Sequence, residues 1–344
     1  MKNKIFRILF VAITGILLLS GGTVSWFIFG PQVRTTDHKS VSLDLPTGSS
    51  FEAVFDTLQN HDLIRHPVIF RLLAARKHYP AHIRSGHYNI TDKTSYNSLI
   101  NLLRAGRQVP VTVTFTHQRS VGQMAGVISR QLEFDSIALM KLIRDPEICR
   151  DLGFDTLTLP VIFIPNTYEF YWNTSALGFL KRMKQEYDKF WIPERRKAAE
   201  EIGLTPVKVV ILASIVEEET WHPDEMPAIA GVYLNRLKKG IRLQADPTIK
   251  YAVGNVSKHR ILTKDLQVDS PYNTYRHAGL PPGPITIPSV QAIDAVLNAD
   301  KHQYLYFCAK DDFSGYHYFS RTLREHNRYA YRYRQALNKN KVYH

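Results

Sequence analysis

Three consecutive glutamates, Glu217, Glu218 and Glu219, close an otherwise apolar stretch of the chain. A carboxyl group can act as a general acid near neutral pH only if burial raises its pKa, because a solvated glutamic acid is already ionised there. The stretch that carries them, residues 205–220, reads as a helix with a marked start. Thr205 can cap it, and Pro206 suits the first helical position, where its missing N–H is no loss. Between 209 and 216 every residue except Ser214 is apolar, so the helix is expected to be buried. If it ends near Pro223, the three carboxylates sit where the helix dipole is already negative, each unfavourable by about 0.3–1 kcal/mol. A local rule broken without visible compensation marks a functional position. The plainer reading is a solvated helix end, and spacing alone leaves both open.

Other chemistries lack their residues. The chain has no Gly-rich phosphate loop, no Gly-x-Ser-x-Gly elbow and no His-Glu-x-x-His. Glu219 and His222 have carboxylate–histidine metal spacing, but a di-iron bundle needs two such pairs and there is no second, so no metal is expected. The 14 histidines leave a serine–histidine nucleophile open without pointing to one. What remains is a carboxylate at the end of a buried helix, facing a long aperiodic region at 241–288. That region carries three polar clusters, at 242–248, 272–275 and 279–284, and its prolines would hold it rigid. A loop of this length inside a compact domain is usually functional. The arrangement suits glycan cleavage, in which a carboxylic acid protonates the leaving glycosidic oxygen.

The elements that must position these residues belong to a chain of 344 residues, enough for two or three domains. Lys and Arg number 44 against 31 Asp and Glu, a net charge of +13 that favours an anionic partner. The two cysteines, Cys149 and Cys308, make no framework and read as buried thiols, with one disulfide open. At the N-terminus, Lys2, Lys4 and Arg7 precede an uncharged run over 8–29. As a helix it spans about 33 Å, against about 30 Å of bilayer hydrocarbon. The basic flank is expected to stay cytoplasmic, with the body outside. A cleaved signal peptide is the competing reading, since Ser20, Gly21 and Gly22 are small enough for cleavage. The apolar run continues past them through Trp26, Phe27, Ile28 and Phe29, which favours an uncleaved anchor. Either reading exports the body and argues against nucleic acid as the partner.

Beyond a polar linker at 30–40, residues 41–106 read as a small α+β unit: a strand from 41, helices at 51 and 67, a strand from 86, and a helix from 95 to Gly106. Residues 109–116 alternate as a strand, and Ser120 with Gln123 opens a helix. Residues 163–172 are aromatic and loop-like, and read as core rather than as a sugar platform. Helices follow at 176–191 and from Pro193. A helix capped by Asp224 and ended by Gly240 buries Ile229, Val232, Tyr233 and Leu237. A helix at 289–298, a hairpin with strands at 304–309 and 316–320, and a basic helix from 323 to about 338 complete an α+β chain.

The sequence resembles the YceG-like endolytic murein transglycosylases, proteins anchored in the bacterial inner membrane. The resemblance covers nearly all of the chain after the anchor. It rests on Ala213-Ser214-Ile215-Val216-Glu217-Glu218-Glu219-Thr220, on Tyr233-Leu234-Asn235-Arg236-Leu237, and on Arg242-Leu243-Gln244-Ala245-Asp246-Pro247-Thr248. Tyr272-Asn273-Thr274-Tyr275, Gly279-Leu280-Pro281-Pro282-Gly283-Pro284-Ile285, Tyr304-Leu305-Tyr306-Phe307 and Glu325-His326-Asn327 extend it. The resemblance implies a LysM-like domain at 41–106 and a mixed α/β catalytic domain at 107–344, with its core at 205–330. Within the family pattern Glu-x-Glu-Thr the second Glu is catalytic, which the resemblance assigns to Glu219, with Glu217 as the fallback. Helical spacing agrees, since Glu219 follows Val216, Ile215 and Leu212 by three, four and seven residues. The family usually has Glu-Gly where this chain has His117-Gln118, and Pro-Asp-Thr where it has Pro165-Asn166-Thr167.

The activity implied is cleavage between MurNAc and GlcNAc with closure of a 1,6-anhydro ring, terminating nascent strands and needing no cofactor. Gln244, Asp246, Asn273 and Tyr275 are then expected to orient the sugar. Peptidoglycan strands, the inner membrane and cell-wall synthases are the implied partners. A hydrolase with Asp246 as second carboxylate and a non-catalytic peptidoglycan-binding scaffold are the alternatives.

Overall fold

The structure is a computed structural model that describes residues 2–35, 39–255 and 261–339. Positions 36–38 of the expected linker, 256–260 of the long polar region and the chain after 339 lie outside the described residues. Two compact units emerge. The first comprises Met1–Val113, Gln131–Glu133 and Glu169–Thr174; the second comprises Thr114–Arg130, Phe134–Tyr168 and Ser175–His344.

The first unit begins with α1 (Lys2–Phe29). Among the described residues this is the one helix long and apolar enough to cross a membrane, with a mean hydropathy of 2.1 over its apolar window and none of that window buried. Strand β1 (Val41–Leu45) pairs antiparallel with β2 (Gly86–Ile90), in register Val41↔Ile90 to Leu45↔Gly86. The alternation in β1 is realised: Leu43 and Leu45 are buried while Ser42 and Asp44 are exposed. Helices α2 (Phe51–Asn60) and α3 (Pro67–Arg76) lie between the strands in sequence, and α4 (Tyr96–Ala105) follows them. Ser50 and Ser95 cap α2 and α4 by accepting from Ala53 N and Ser98 N. Phe55, Leu58, Phe70, Tyr88, Tyr96 and Leu99 fill one core. Two later segments return to this unit: Glu133 accepts from Thr47 Oγ1 at 2.7 Å, and Asn173 Nδ2 donates to Ser85 Oγ at 2.9 Å.

Strand β3 (Val111–Phe115) leads out of the first unit. The capped helix α5 (Val121–Ser129) follows, with Ser120 Oγ accepting from Gln123 N, and then α6 (Ser136–Ile143) and α7 (Pro146–Asp151). The aromatic segment expected to be loop contains β4 (Asn166–Phe170), which pairs with β3. Its alternation was hidden by flanking aromatics, but Phe163, Tyr168 and Phe170 are core, as expected. Next come α8 (Ala176–Phe190) and α9 (Pro193–Glu201).

The second unit is built round α10 (Pro206–Glu219). Thr205 caps it, and every residue from Val209 to Val216 is buried. A helix apolar on all sides needs cover on all sides. It has neighbours in α9, α11 (Met226–Lys238), α12 (Asp246–Ala252) and α13 (Val290–Leu297). Its single polar core residue is satisfied: Ser214 Oγ donates to Ile211 O at 2.7 Å and accepts from Ile285 N at 3.0 Å. Helix α10 stops at Glu219, short of Pro223, because Thr220 is extended.

Two local expectations change. Asp224 does not cap α11; its carboxylate accepts instead from the Tyr316 hydroxyl, at 3.1–3.2 Å. The polar cluster around Asp246 is not loop throughout, because Asp246 and Pro247 open α12, an acidic first turn and an early proline being helix-start signals. The expected hairpin forms as β5 (Tyr306–Ala309) and β6 (His317–Ser320), in register Tyr306↔Ser320, followed by the basic helix α14 (Leu323–Lys339). Cys149 and Cys308 are both free.

Candidate active site

The three carboxylates leave the end of α10 in three directions. Glu217 Oε2 accepts from Ser289 N at 2.6 Å and so anchors the residue that caps α13. Glu218 Oε1 lies 3.3 Å from His117 Nε2. Glu219 turns into a separate cavity of about 380 Å³, where its Oε1 accepts a short hydrogen bond from the Tyr233 hydroxyl on α11. The cause is geometric. Successive helical residues are rotated by about 100°, so Glu219 points away from the cavity that Glu217 and Glu218 share.

The environment of Glu219 is the one a general acid needs. Burial pushes its carboxyl up to about 7, the bond from Tyr233 opposes that rise, and the charge of Asp246 adds to it. His317 and Lys250 pull weakly the other way. Burial and the neighbouring carboxylate together hold the Tyr233 phenol well above its ordinary value, so it remains a donor. A group poised near neutral pH can both give and take back a proton.

Four of the five residues expected at the site line this cavity: Glu219, Gln244, Asp246 and Tyr275. The Tyr275 hydroxyl donates to Asp246 Oδ1 at 2.6 Å. Gln244 sits at φ +50°, a conformation that costs a residue with a side chain about 1–3 kcal/mol and is typically kept for function. Its backbone N–H donates to Thr274 O at 3.1 Å, and the Ala245 N–H donates to Thr274 Oγ1 at 3.0 Å.

Asn273 is placed elsewhere. It is fully buried, its Nδ2 donates to Leu266 O and Val268 O, and its Oδ1 accepts from Tyr275 N at 3.0 Å. Its amide therefore holds the loop that presents Tyr275, and it does not line the cavity.

Sequence reasoning missed several lining residues. Tyr233 reads as part of a buried stripe, and its ring is indeed buried, packed edge-on against Phe307 at 5.8 Å. Only the hydroxyl reaches the acid. Arg236, one turn further on, is also buried. Its Nε donates to Leu305 O at 2.6 Å and its Nη1 to Leu243 O at 2.7 Å, which ties the hairpin to the Gln244 segment. His326 lines the same cavity with its Nδ1 buried and without a hydrogen-bond partner. Burial, reinforced by Arg236, lowers its pKa, so the ring is neutral and offers either an acceptor or a donor to a sugar hydroxyl. The signal for all three was present in the short motifs around 233–237 and 325–327, but no spacing rule connects those motifs to Glu219.

His222, the other half of the metal-like spacing, stacks on Tyr316 at 3.7 Å and contacts Ser314 O through Nε2 at 3.0 Å. No cluster of metal-ligating residues occurs among the described residues.

The chain is 30% identical to the endolytic murein transglycosylase of Bacillus subtilis over 93% of its own length and 92% of that protein's. It is 29% identical to the endolytic murein transglycosylase of Streptococcus pneumoniae strain D39, over 86% of this chain and 59% of the longer relative. A crystal structure of a yceG-like protein from Listeria monocytogenes superposes with a TM-score of 0.55 at 29% identity, covering 84% of this chain and 98% of that one. Residues 43–332 match the YceG-like family, and the chain belongs to it.

Proposed function

We propose that the chain is an endolytic lytic transglycosylase of peptidoglycan, with Glu219 as its one acid–base group. The observation that carries this reading is the Glu219 carboxyl, held protonated up to about pH 7 inside a cavity lined by hydrogen-bonding side chains. The protonated Glu219 gives its proton to the oxygen between MurNAc and GlcNAc as the bond from that oxygen to the MurNAc anomeric carbon breaks. The MurNAc 6-hydroxyl oxygen bonds to that carbon, and its proton passes to the Glu219 carboxylate. The enzyme is returned to its starting state, no water is consumed, and no second carboxylate is required. Tyr233 stabilises the transient carboxylate, while Gln244, Asp246 and Tyr275 orient the sugar. Asn273 acts on that sugar through the loop it holds.

Asp246 in the same cavity favours one alternative, a two-carboxylate hydrolase. The products discriminate. Un-crosslinked glycan strands digested by the full-length protein should yield 1,6-anhydro ends, lighter by one water than reducing ends. Glu219→Gln should lower the rate by about 10²–10⁴-fold. Reducing ends as the sole product would overturn the transglycosylase reading.

The remaining assignments extend this proposal. Helix α1 is a single-pass anchor in the bacterial inner membrane with the body on the outer side, a reading supported by its length and basic flank. Residues 41–106 act as a LysM-like module that engages peptidoglycan, supported by the strand–helix–helix–strand order β1-α2-α3-β2.

A further inference from the structure

A second, larger cavity of about 860 Å³ lies against the same helix end. Glu217, Glu218 and Thr220 line it, whereas Glu219 lines the catalytic one. The last turn of α10 is therefore the wall between them. Helix α12 spans both in the same way: Asp246 lines the catalytic cavity and Lys250, one turn later, lines the second. Lys250 is near enough to Glu219 to act on its charge.

The charges of the second cavity are unequal in how they are engaged. Glu217 already accepts from Ser289 N, and Glu218 faces His117, whose imidazole that contact pushes upward, towards the charged form. Arg119 and Lys250 have no hydrogen-bond or ion-pair partner for their side chains among the described residues. Arg119 is half-buried, and its segment is pinned by the exchange of hydrogen bonds between Gln118 and Ile287, at 2.9 and 3.2 Å. Among the described residues, both cations are therefore free for a ligand.

Trp221 adds an aromatic face. It is 86% exposed, lines this cavity and lies two residues after Glu219. The exposure is built in. Thr220 Oγ1 donates to Glu225 Oε2 at 3.0 Å and accepts from His222 N at 3.1 Å, and Glu225 is itself buried against His317. An apolar ring that size, held in water by a fixed turn, suits the apolar face of a pyranose.

We infer that the second cavity is a subsite for the peptide-bearing sugars of the same glycan strand, with Trp221 stacking on a sugar ring and Arg119 and Lys250 pairing with the carboxylates of the peptide stem. This rests on the reading of the substrate as a murein strand. The His117-Gln118 pair, where the family usually has Glu-Gly, lies inside this subsite rather than away from it. His117 lies 3.3 Å from Glu218 and Ser289 N donates to Glu217, so the acidic groups of the cavity are the engaged ones, and its cations Arg119 and Lys250 line it without a hydrogen-bond or ion-pair partner among the described residues.

Binding, not cleavage, tests the subsite, so its outcome is independent of the catalytic reading. The full chain carrying Glu219→Gln is titrated in detergent with two probes: a tetrasaccharide of two GlcNAc–MurNAc repeats bearing its stem peptides, and the same tetrasaccharide without peptides. The peptide-bearing probe should bind about tenfold more tightly, the equivalent of one charge-assisted contact, and added salt should erode that margin. Adding Arg119→Gln should abolish most of the preference while leaving the bare sugar unaffected. Adding Trp221→Ala should weaken both probes by about tenfold. Neither side chain makes a hydrogen bond or ion pair among the described residues, so both variants should melt with the parent. Equal binding of the two probes, or a preference that survives Arg119→Gln, overturns the subsite whether or not the wild-type chain cleaves strands. Wild-type protein that binds as expected but leaves strands intact would instead count against the proposed activity alone.

Discussion

Replacing Tyr233 with Phe removes one hydroxyl and almost nothing else. The ring is buried and packs edge-on against Phe307, so the shape of the core is kept. What is lost is the hydrogen bond to Glu219 Oε1, which favours the carboxylate. A hydrogen bond to a charged group contributes about 1.5–3 kcal/mol. At about 1.4 kcal/mol per pKa unit, its loss should raise the Glu219 pKa by about one to two units. The wild-type carboxyl stands at about 7, so the variant's should lie at about 8–9. A general acid works in its protonated form, hence the alkaline limb of kcat/KM should fall near pH 7 in the wild type and about one to two units higher in Tyr233→Phe. At pH 6 the variant should be slower, because the carboxylate that must form as the bond breaks has lost its donor. The assay is release of anhydro ends from un-crosslinked strands between pH 5 and 9.5. A limb that stays in place, or moves to lower pH, would refute the claim that this tyrosine sets the acid.

Glu219→Gln should show the cost of the site. The folded-state pKa is raised from 4.5 to about 7, so the native protein binds more protons than the unfolded chain in that window. The associated stability is fully present below pH 4.5 and is lost as pH rises towards 7, about 3 kcal/mol in all. The variant lacks this loss, so against wild type its denaturant midpoint should be similar at pH 4.5 and higher at pH 8. Ser214→Ala leaves the buried Ile285 N–H without its acceptor and should destabilise by about 1–3 kcal/mol, read as a lower melting temperature. Gly283→Ala would put a Cβ 2.2 Å from the Leu157 carbonyl oxygen and 2.8 Å from the Tyr272 hydroxyl. It should cost about 1–3 kcal/mol of overpacking in the same melt. Arg236→Lys replaces a fork that meets Leu305 O and Leu243 O at once with a single ammonium. The hairpin and the Gln244 segment should loosen, raising KM more than it lowers kcat in the strand-cleavage assay.

Local chemistry determined much of this chain from its sequence alone. The caps Thr205 and Ser120 and the prolines at helix starts mark their elements, because a cap satisfies donors within three residues of itself. The unbroken apolar body of α10 required cover on every side, and the motifs named the family and singled out Glu219. Tertiary structure alone decided what each glutamate meets. Their partners, Ser289, His117 and Tyr233, lie from 14 to 101 residues away in the sequence, and no periodicity reaches that far. It also decided that Asn273 braces a loop while Tyr233, a core residue by pattern, carries the hydroxyl that reaches the acid. A helix fixes the angle between neighbouring side chains, but the pKa of each depends on which distant element closes over it.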